Sequence, residues 1–316
     1  MLLEILIPTF SREEYLTKNL YLLSKQISMI PPSNDIRVIV SDNASVDNTV
    51  LSVESIQKVF PVDLILLKSE KNLGGVANVL KLLSFAKADW VMFLGDDDFL
   101  PDGYIEFVIK VIQSENIGCV IPGFSSLYKD GSTEITREGK ELKAQPGFSS
   151  VLKLSQFGHQ LSGLVVRNNE MMLQTCLANQ ELRNSYLFIY FVSFNLLREN
   201  TIYAPQFQVL VSQGNAKDWA YDDSGLLTEV YQNYLSLFED QPIKSILSCL
   251  VFTHKQSWRL RFSKDPSQSF RVVKHILYSQ KLPIYLKTSV SIFYLFLYTN
   301  FLVKNSLRKI LTKNKN

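Results

Sequence analysis

The 316-residue sequence holds only three cysteines, Cys119, Cys176 and Cys249, odd in number, far apart and each set among apolar neighbours. That excludes a disulfide framework and a cysteine-rich zinc cluster, and it is the usage of core residues in a reducing cytoplasm. Histidine is as scarce. His159, His254 and His275 lie too far apart for a preformed metal motif, and His159 in "FGHQLSG" is read as structural rather than as an acceptor contact. An excess of one charge is also missing: the formal net charge is +3, and basic residues are spread evenly over the first two thirds, which leaves no surface for nucleic acid. The first turn, "PTFSRE", lacks the Gly-x-Gly-x-x-Gly fingerprint of dinucleotide enzymes. The start, "MLLEILIPTF", lacks a basic leader and meets Pro8 too early for a signal peptide, so it reads as the first strand of a domain.

What is present is a globular composition, 46% hydrophobic, with a regular alternation up to about Ser125. Short aliphatic runs at Glu4 to Ile7, Arg37 to Ser41, Asp63 to Leu67, Trp90 to Leu94 and Cys119 to Pro122 alternate with segments of helical period. In "SREEYLTKNLYLLSKQI" a serine stands where it can cap a helix, and acidic residues occupy the first turn. The pattern predicts an α/β fold with an open, mostly parallel doubly wound sheet, which takes ligands at the carboxyl ends of its strands. Lys129 to Ser150 reads as a loop or short hairpin, a mobile flap. "LSGLVV" is predicted as a strand, "NSYLFIYFVSFNLLRE" as an apolar core helix and "TIYAPQFQVLVS" as extended chain. The expected division is a ligand-binding α/β domain over 1–215 and a helical region with an apolar and basic tail over 216–316.

"VMFLGDDDFLP" sets Asp96, Asp97 and Asp98 directly after a buried strand, on the rim where such a sheet binds its ligand. Neighbouring carboxylates repel unless a cation intervenes, and Mg²⁺ or Mn²⁺ prefers oxygen ligands. The other rims agree. "IPTFSR" offers the Thr9 and Ser11 hydroxyls, "SDNASVDNT" offers Asp42 to a base N–H or a ribose hydroxyl, and "KSEKNLGGVAN" offers Gly74 and Gly75 at a helix start. Asp47 and Asn48 are explained as well by capping and turn chemistry.

In that order, "ILIPTFSR", "VIVSDNASVDNT", "KNLGGVANV" and "VMFLGDDDFLPDGY" resemble the motifs of family 2 glycosyltransferases, in particular an abequosyltransferase-like subgroup of bacterial surface-polysaccharide synthesis, O-antigen or capsule. The resemblance covers about the first 125 residues. It implies an A-type (Rossmann-like) nucleotide-diphospho-sugar transferase fold, a divalent cation, and inverting transfer of a hexosyl or deoxyhexosyl group to a lipid-linked glycan. Carried over by position, it assigns Pro8, Thr9 and Ser11 to the nucleoside pocket, Asp42 to the base, Asn72 and Gly75 to the donor, Asp96 to the ribose, and the metal to Asp97 backed by Asp98. The family commonly has an acid where this chain has Gly95. The catalytic base, usually in an acidic pair before a helix of the second half, falls on Glu181 in "CLANQELRNSYLFIYF"; Asp222 and Asp223 in "NAKDWAYDDSGLL" are the other candidates, with helix capping their competing role. A chain with an incomplete base is also compatible with a binding or assembly partner of a polysaccharide-synthesis complex.

Near the end, "VSIFYLFLYTNFLV" is shorter than the roughly 20 residues that span a bilayer, and Lys304, Arg308, Lys309, Lys313 and Lys315 follow. The expectation is peripheral association with the cytoplasmic face of the inner membrane, the alternative a core helix with a solvated tail.

Overall fold

The computed structural model describes residues 2–30, 35–114, 116–213, 223–257 and 266–313. By its contacts the chain divides into two units, Met1–Asp218 and Trp219–Asn316.

The first unit is organised by strand β1 (Leu3–Thr9), nearly every residue of which is buried, as a central strand covered on both faces must be. It pairs in parallel with β2 (Ile36–Asp42) on one side and β4 (Trp90–Phe93) on the other, and β3 (Leu64–Lys68) pairs with β2. The chain thus winds outward through β2 and β3 and then returns to the opposite side of β1. The crevice at this reversal, between the carboxyl ends of β1 and β4, is where open α/β sheets bind ligands. Helix α1 (Glu13–Ser28) follows β1 and buries Leu16, Leu20, Leu23 and Ile27, an i, i+4, i+7, i+11 stripe. The remaining crossovers are α2 (Thr49–Gln57), α3 (Gly75–Phe85) and α4 (Tyr104–Ser114). Ser11 does not cap α1. Its backbone takes φ 50°, its hydroxyl accepts from the Val46 N–H at 3.3 Å, and Arg12 occupies the cap position without a side-chain bond.

Past β4 the sheet is mixed, in the order β3-β2-β1-β4-β8-β5-β9-β7. Here β5 (Ile117–Leu127) runs antiparallel to β8 (Val165–Arg167) and parallel to β9 (Asn200–Ser212). The segment expected as a loop or short hairpin does form a hairpin arm, β6 (Thr133–Arg137) antiparallel to β5, but with β7 (Leu142–Ala144) on β9 it is part of the sheet rather than a separate flap. Arg137 accounts for the difference. It is 6% exposed, lies between the rings of Phe124 and Phe157 at 4.8 Å from each centroid, and donates to the carbonyls of Pro122 at 3.2 Å and Phe157 at 2.9 Å. A sequence read for loop residues cannot show that its one arginine is an anchor. Short helices α5 (Phe148–Leu154) and α6 (Glu170–Ala178) precede α7 (Leu187–Leu196), all ten residues of which are buried. Its Phe188 and Phe191 pack on Phe93 of β4 at 5.0 and 5.6 Å, so the aromatic run is core.

The second unit is helical: α8 (Asp223–Leu237), α9 (Pro242–Lys255), α10 (Pro266–Tyr278) and α11 (Ile284–Lys313). Leu226, Val230, Tyr231, Phe252, Ile276 and Val290 are among its buried apolar residues. The three cysteines are unpaired and buried.

Replacing Arg137 by Ala removes two charge-assisted hydrogen bonds and two ring contacts, each worth on the order of 1 kcal/mol or more. We expect a loss of at least about 2 kcal/mol in urea unfolding, with faster amide exchange confined first to 133–144.

Candidate functional site

Parallel register sets the site. Thr9 is paired with Asp42 across β1 and β2, so the ends of both strands open on the same crevice as the loop after β4. Thr9 Oγ donates to Asp96 Oδ2 at 2.8 Å, a contact 87 residues long in sequence that joins the first and fourth strand ends. Asp96 keeps some open surface, yet burial, followed by the charge of Asp97, pushes its pKa up to about 7; the Thr9 hydroxyl and the Arg12 guanidinium act in the opposite direction. A positive group in the crevice is therefore favourable.

Asp42 is 2% exposed. Its Oδ2 accepts from the Ser45 N–H at 3.0 Å, whereas Oδ1 is buried with no partner among the described residues. A buried carboxylate oxygen without a donor is costly, and a ligand N–H or O–H would satisfy it. Asn72 stands across the loop: its Oδ1 accepts from Asn43 Nδ2 and from the Gly74 N–H, both at 2.8 Å, and Asn43 Oδ1 accepts from the Leu73 N–H at 2.9 Å. This Asn pair shapes the entrance to α3. Gly74 adopts φ 85°, a conformation that favours glycine, and a side chain on Gly75 would meet open space. Buried Asn78 of α3 accepts from Ser41 Oγ at 2.6 Å and donates to the Ser41 carbonyl at 2.9 Å, which fixes that helix start against the end of β2. Asp47 accepts from the N–H groups of Thr49 at 3.1 Å and Glu13 at 3.2 Å, so its turn chemistry is structural.

The acidic triplet is divided by its surroundings. Asp98 is 6% exposed and both its oxygens accept from protein donors: Oδ1 from the Ser212 N–H at 3.0 Å, Oδ2 from Ser162 Oγ at 2.5 Å and Gln160 Nε2 at 3.3 Å. Below the loop, Asn19 of α1 donates to the carbonyls of Gly95 at 2.9 Å and Asp98 at 2.7 Å. Gly95 is explained by the same network. A Cβ there would lie 2.9 Å from Asp98 Oδ2 and 3.1 Å from Ser162 Oγ, so any side chain at that position would have to displace these groups from their bond. Asp97 is partly exposed and its carbonyl accepts from Ser212 Oγ. Among the described residues no three His, Cys, Asp or Glu side chains form a ready-made metal cluster. Two carboxylates, Asp96 and Asp97, remain at the crevice, which fits an ion such as Mg²⁺ that is held by one or two carboxylates plus substrate phosphates.

Glu181 sits in a 3-10 turn (Gln180–Leu182) ahead of α7, its N–H bonded to Asn179 Oδ1 at 2.9 Å. Asp222 lies outside the described residues, as do Trp219 and Tyr221; Asp223 opens α8, with its side chain outside them. His159 bonds through Nδ1 to the Gln156 carbonyl at 2.7 Å and meets the Phe124 ring edge-on. Sequence reading missed Arg12, Asn19, Asn43, Asn78, Ser162 and Ser212. Arg12, Asn43 and Asn78 stand inside the quoted motifs and so carried a local signal.

The fold is that of an A-type α/β domain, with a crevice at the strand reversal. Residues 4–160 match the model of glycosyl transferase family 2, and through this domain the chain belongs to that family. Abequosyltransferase RfbV of Salmonella typhimurium is 33% identical over 115 residues, 36% of this chain and 34% of that protein. An uncharacterised glycosyltransferase of Haemophilus influenzae is 30% identical over 146 residues, 46% of this chain and 44% of that protein. The chain thus matches a third to a half of the length of these curated relatives. Among solved structures, S. aureus TarS 1-349 in complex with UDP-GlcNAc superposes with a TM-score of 0.65 at 14% identity, covering 87% of this chain and 80% of that one. The mannosyltransferase PcManGT of Pyrobaculum calidifontis, in complex with GDP-Man and Mn²⁺, gives 0.53 at 14% identity, covering 98% and 87%. At this identity the structural likeness speaks for the fold.

The division of the triplet is testable without any ligand. Asp98→Ala strands a buried N–H and a buried hydroxyl and should cost about 1–3 kcal/mol in urea unfolding, whereas Asp97→Ala should stay within about 0.5 kcal/mol. Equal losses would contradict the division.

Proposed function

We propose that the protein transfers a hexosyl or deoxyhexosyl group, with inversion, from a nucleoside-diphospho-sugar to a lipid-linked bacterial surface glycan at the cytoplasmic face of the membrane. The observation that carries the donor reading is the unpartnered Oδ1 of buried Asp42, held beside the Thr9–Asp96 bond at the strand reversal. Asp42 accepts from a nucleobase N–H, Thr9, Ser11 and Pro8 border the nucleoside, Asp96 faces the ribose, and the α3 entrance at Asn72 and Gly75 borders the donor. Exposed N–H groups at such a helix start favour an anion. Asp97 is the carboxylate we assign to a divalent cation, Mn²⁺ or Mg²⁺, with Asp98 holding the loop rather than the ion. When bound there with the diphosphate, such a cation supplies charge that offsets the one developing on the leaving group. The relatives support the chemistry in kind: one is named an abequosyltransferase, and structural neighbours were solved with UDP-GlcNAc and with GDP-Man and Mn²⁺.

In the transfer, an acceptor hydroxyl oxygen bonds to the anomeric carbon from the face opposite the departing diphosphate, and its proton passes to a carboxylate. Glu181, set before α7, is the base we assign; Asp222 and Asp223 are the next candidates. A second reading, a glycosyltransferase-like binding or assembly partner that does not turn over, is favoured by one observation: the 3-10 turn before α7 carries Glu181 alone, without a second acid.

Thermal unfolding with uridine, cytidine and deoxythymidine diphosphates, each with and without Mn²⁺, tests the donor site. One nucleotide at a hundredfold excess over its Kd should add about 2.7 kcal/mol. Asp42→Ala should weaken that nucleotide by about tenfold or more; no shift with any nucleotide would end the donor reading. For the base, Glu181→Gln should lower transfer by about 10²–10⁴-fold and leave nucleotide binding intact. Undiminished transfer moves the role to Asp222 or Asp223, and nucleotide binding without turnover in the native protein favours the assembly reading.

A further inference from the structure

Helix α11 has two apolar sides. Leu286, Val290 and Tyr294 are buried on one, where the helix packs along α9 and the Phe293 ring lies 6.4 Å from that of His254. On the other, Ile284, Ile292, Leu295, Phe296, Val303 and Leu307 are exposed, Phe296 by 58% and Ile292 by 63%. At 100° per residue these six fall within a sector of roughly 140°, opposite the buried stripe. The apolar stretch Ile284–Leu307 is 24 residues, longer than the run evident from composition and long enough by length and composition to cross a bilayer. Helix α10 repeats the arrangement: Val272 and Ile276 are buried, while Phe270, Leu277 and Tyr278 are exposed alongside the exposed Arg271 and Lys274. Charge follows the same division. From Gln241 to the end there are fourteen Lys and Arg and a single acid, Asp265, whereas residues 1–240 carry nineteen Lys and Arg against twenty-nine Asp and Glu.

We infer that α10 and α11 lay these outward stripes into the interface of a bilayer rich in anionic lipid and lie along it rather than cross it. Exposed aromatic and aliphatic side chains interleaved with bases, without acids, suit a negatively charged interface. Crossing would strip the buried Leu286, Val290 and Tyr294 face from the helices it packs on, α9 and α10. A second copy as occupant would bring two strongly basic regions together, which their repulsion opposes. The inference deepens the membrane-face placement proposed above, but it stands on residues remote in sequence from the donor motifs and does not need turnover.

The full chain, sedimented with vesicles of phosphatidylcholine alone or mixed with phosphatidylglycerol, should bind the mixed vesicles and lose binding in high salt. The double variant Ile292→Glu/Phe296→Glu should reduce that binding by about tenfold or more, while its nucleotide-induced thermal shift matches the native protein and certifies folding. Equal binding to both vesicles, unchanged binding of the variant, resistance to alkaline carbonate extraction, or a dimer that the variant dissolves would each overturn the inference. A native protein that binds vesicles but no nucleotide would instead sink the donor reading and leave this one standing.

Discussion

The structure turns on the burial of carboxylates at the mouth of a sheet, where Asp98, Asp42 and Asp96 each meet a different fate. Asp98 has its charge spread over donors from Ser212, Ser162 and Gln160, which makes it a fixture. Asp42 is half satisfied, with one oxygen on Ser45 and the other without a donor. Asp96 holds one hydroxyl and is driven toward its protonated form by burial and by Asp97. Such burial is tolerable only if donors or cations arrive to complete it. The same acid type thus serves as strut, as hydrogen-bond acceptor and as a call for positive charge, according to how many donors the fold supplies.

The parallel half of the fold was legible because its information is local. Each βα unit carries its own aliphatic run, polar rim and amphipathic helix, and a register pairing Thr9 with Asp42 follows once the strands lie parallel. Rim residues could therefore be named from the sequence: Thr9 bonds Asp96 and is paired with Asp42, and Asn72 bonds Asn43 beside it. The serine before α1 was misjudged as a cap because a capping residue and a residue reaching to the next rim look alike in sequence; Ser11 does the second.

The remainder was illegible because its contacts are long. Asn19 reaches the acidic loop from a helix 76 residues earlier, and Ser162 reaches it from 64 residues later. Neither stands in a motif, and both read as ordinary polar residues until the fold brings them under Gly95. The docking of β6 and β7 onto the sheet was hidden for a related reason. Its composition is that of a loop, and what docks it is one arginine that finds two aromatic rings and two carbonyls from separate parts of the chain. Propensity has no access to such a contact.

Asp98 also marks where the shared part of the chain meets its individual part. The family match ends at residue 160, and the partners of the Asp98 carboxylate are residues 160, 162 and 212, at or beyond that limit. Through this one side chain the loop that carries Asp96 and Asp97 is bolted to β9 and to the segment entering β8, elements that belong to the mixed half of the sheet. Gly95 is the cost of the bolt, since its backbone must pass within contact of Asp98 and Ser162. Glycine at this position leaves Asp98 and Ser162 room to make that join between the parallel half of the sheet and the half that follows it.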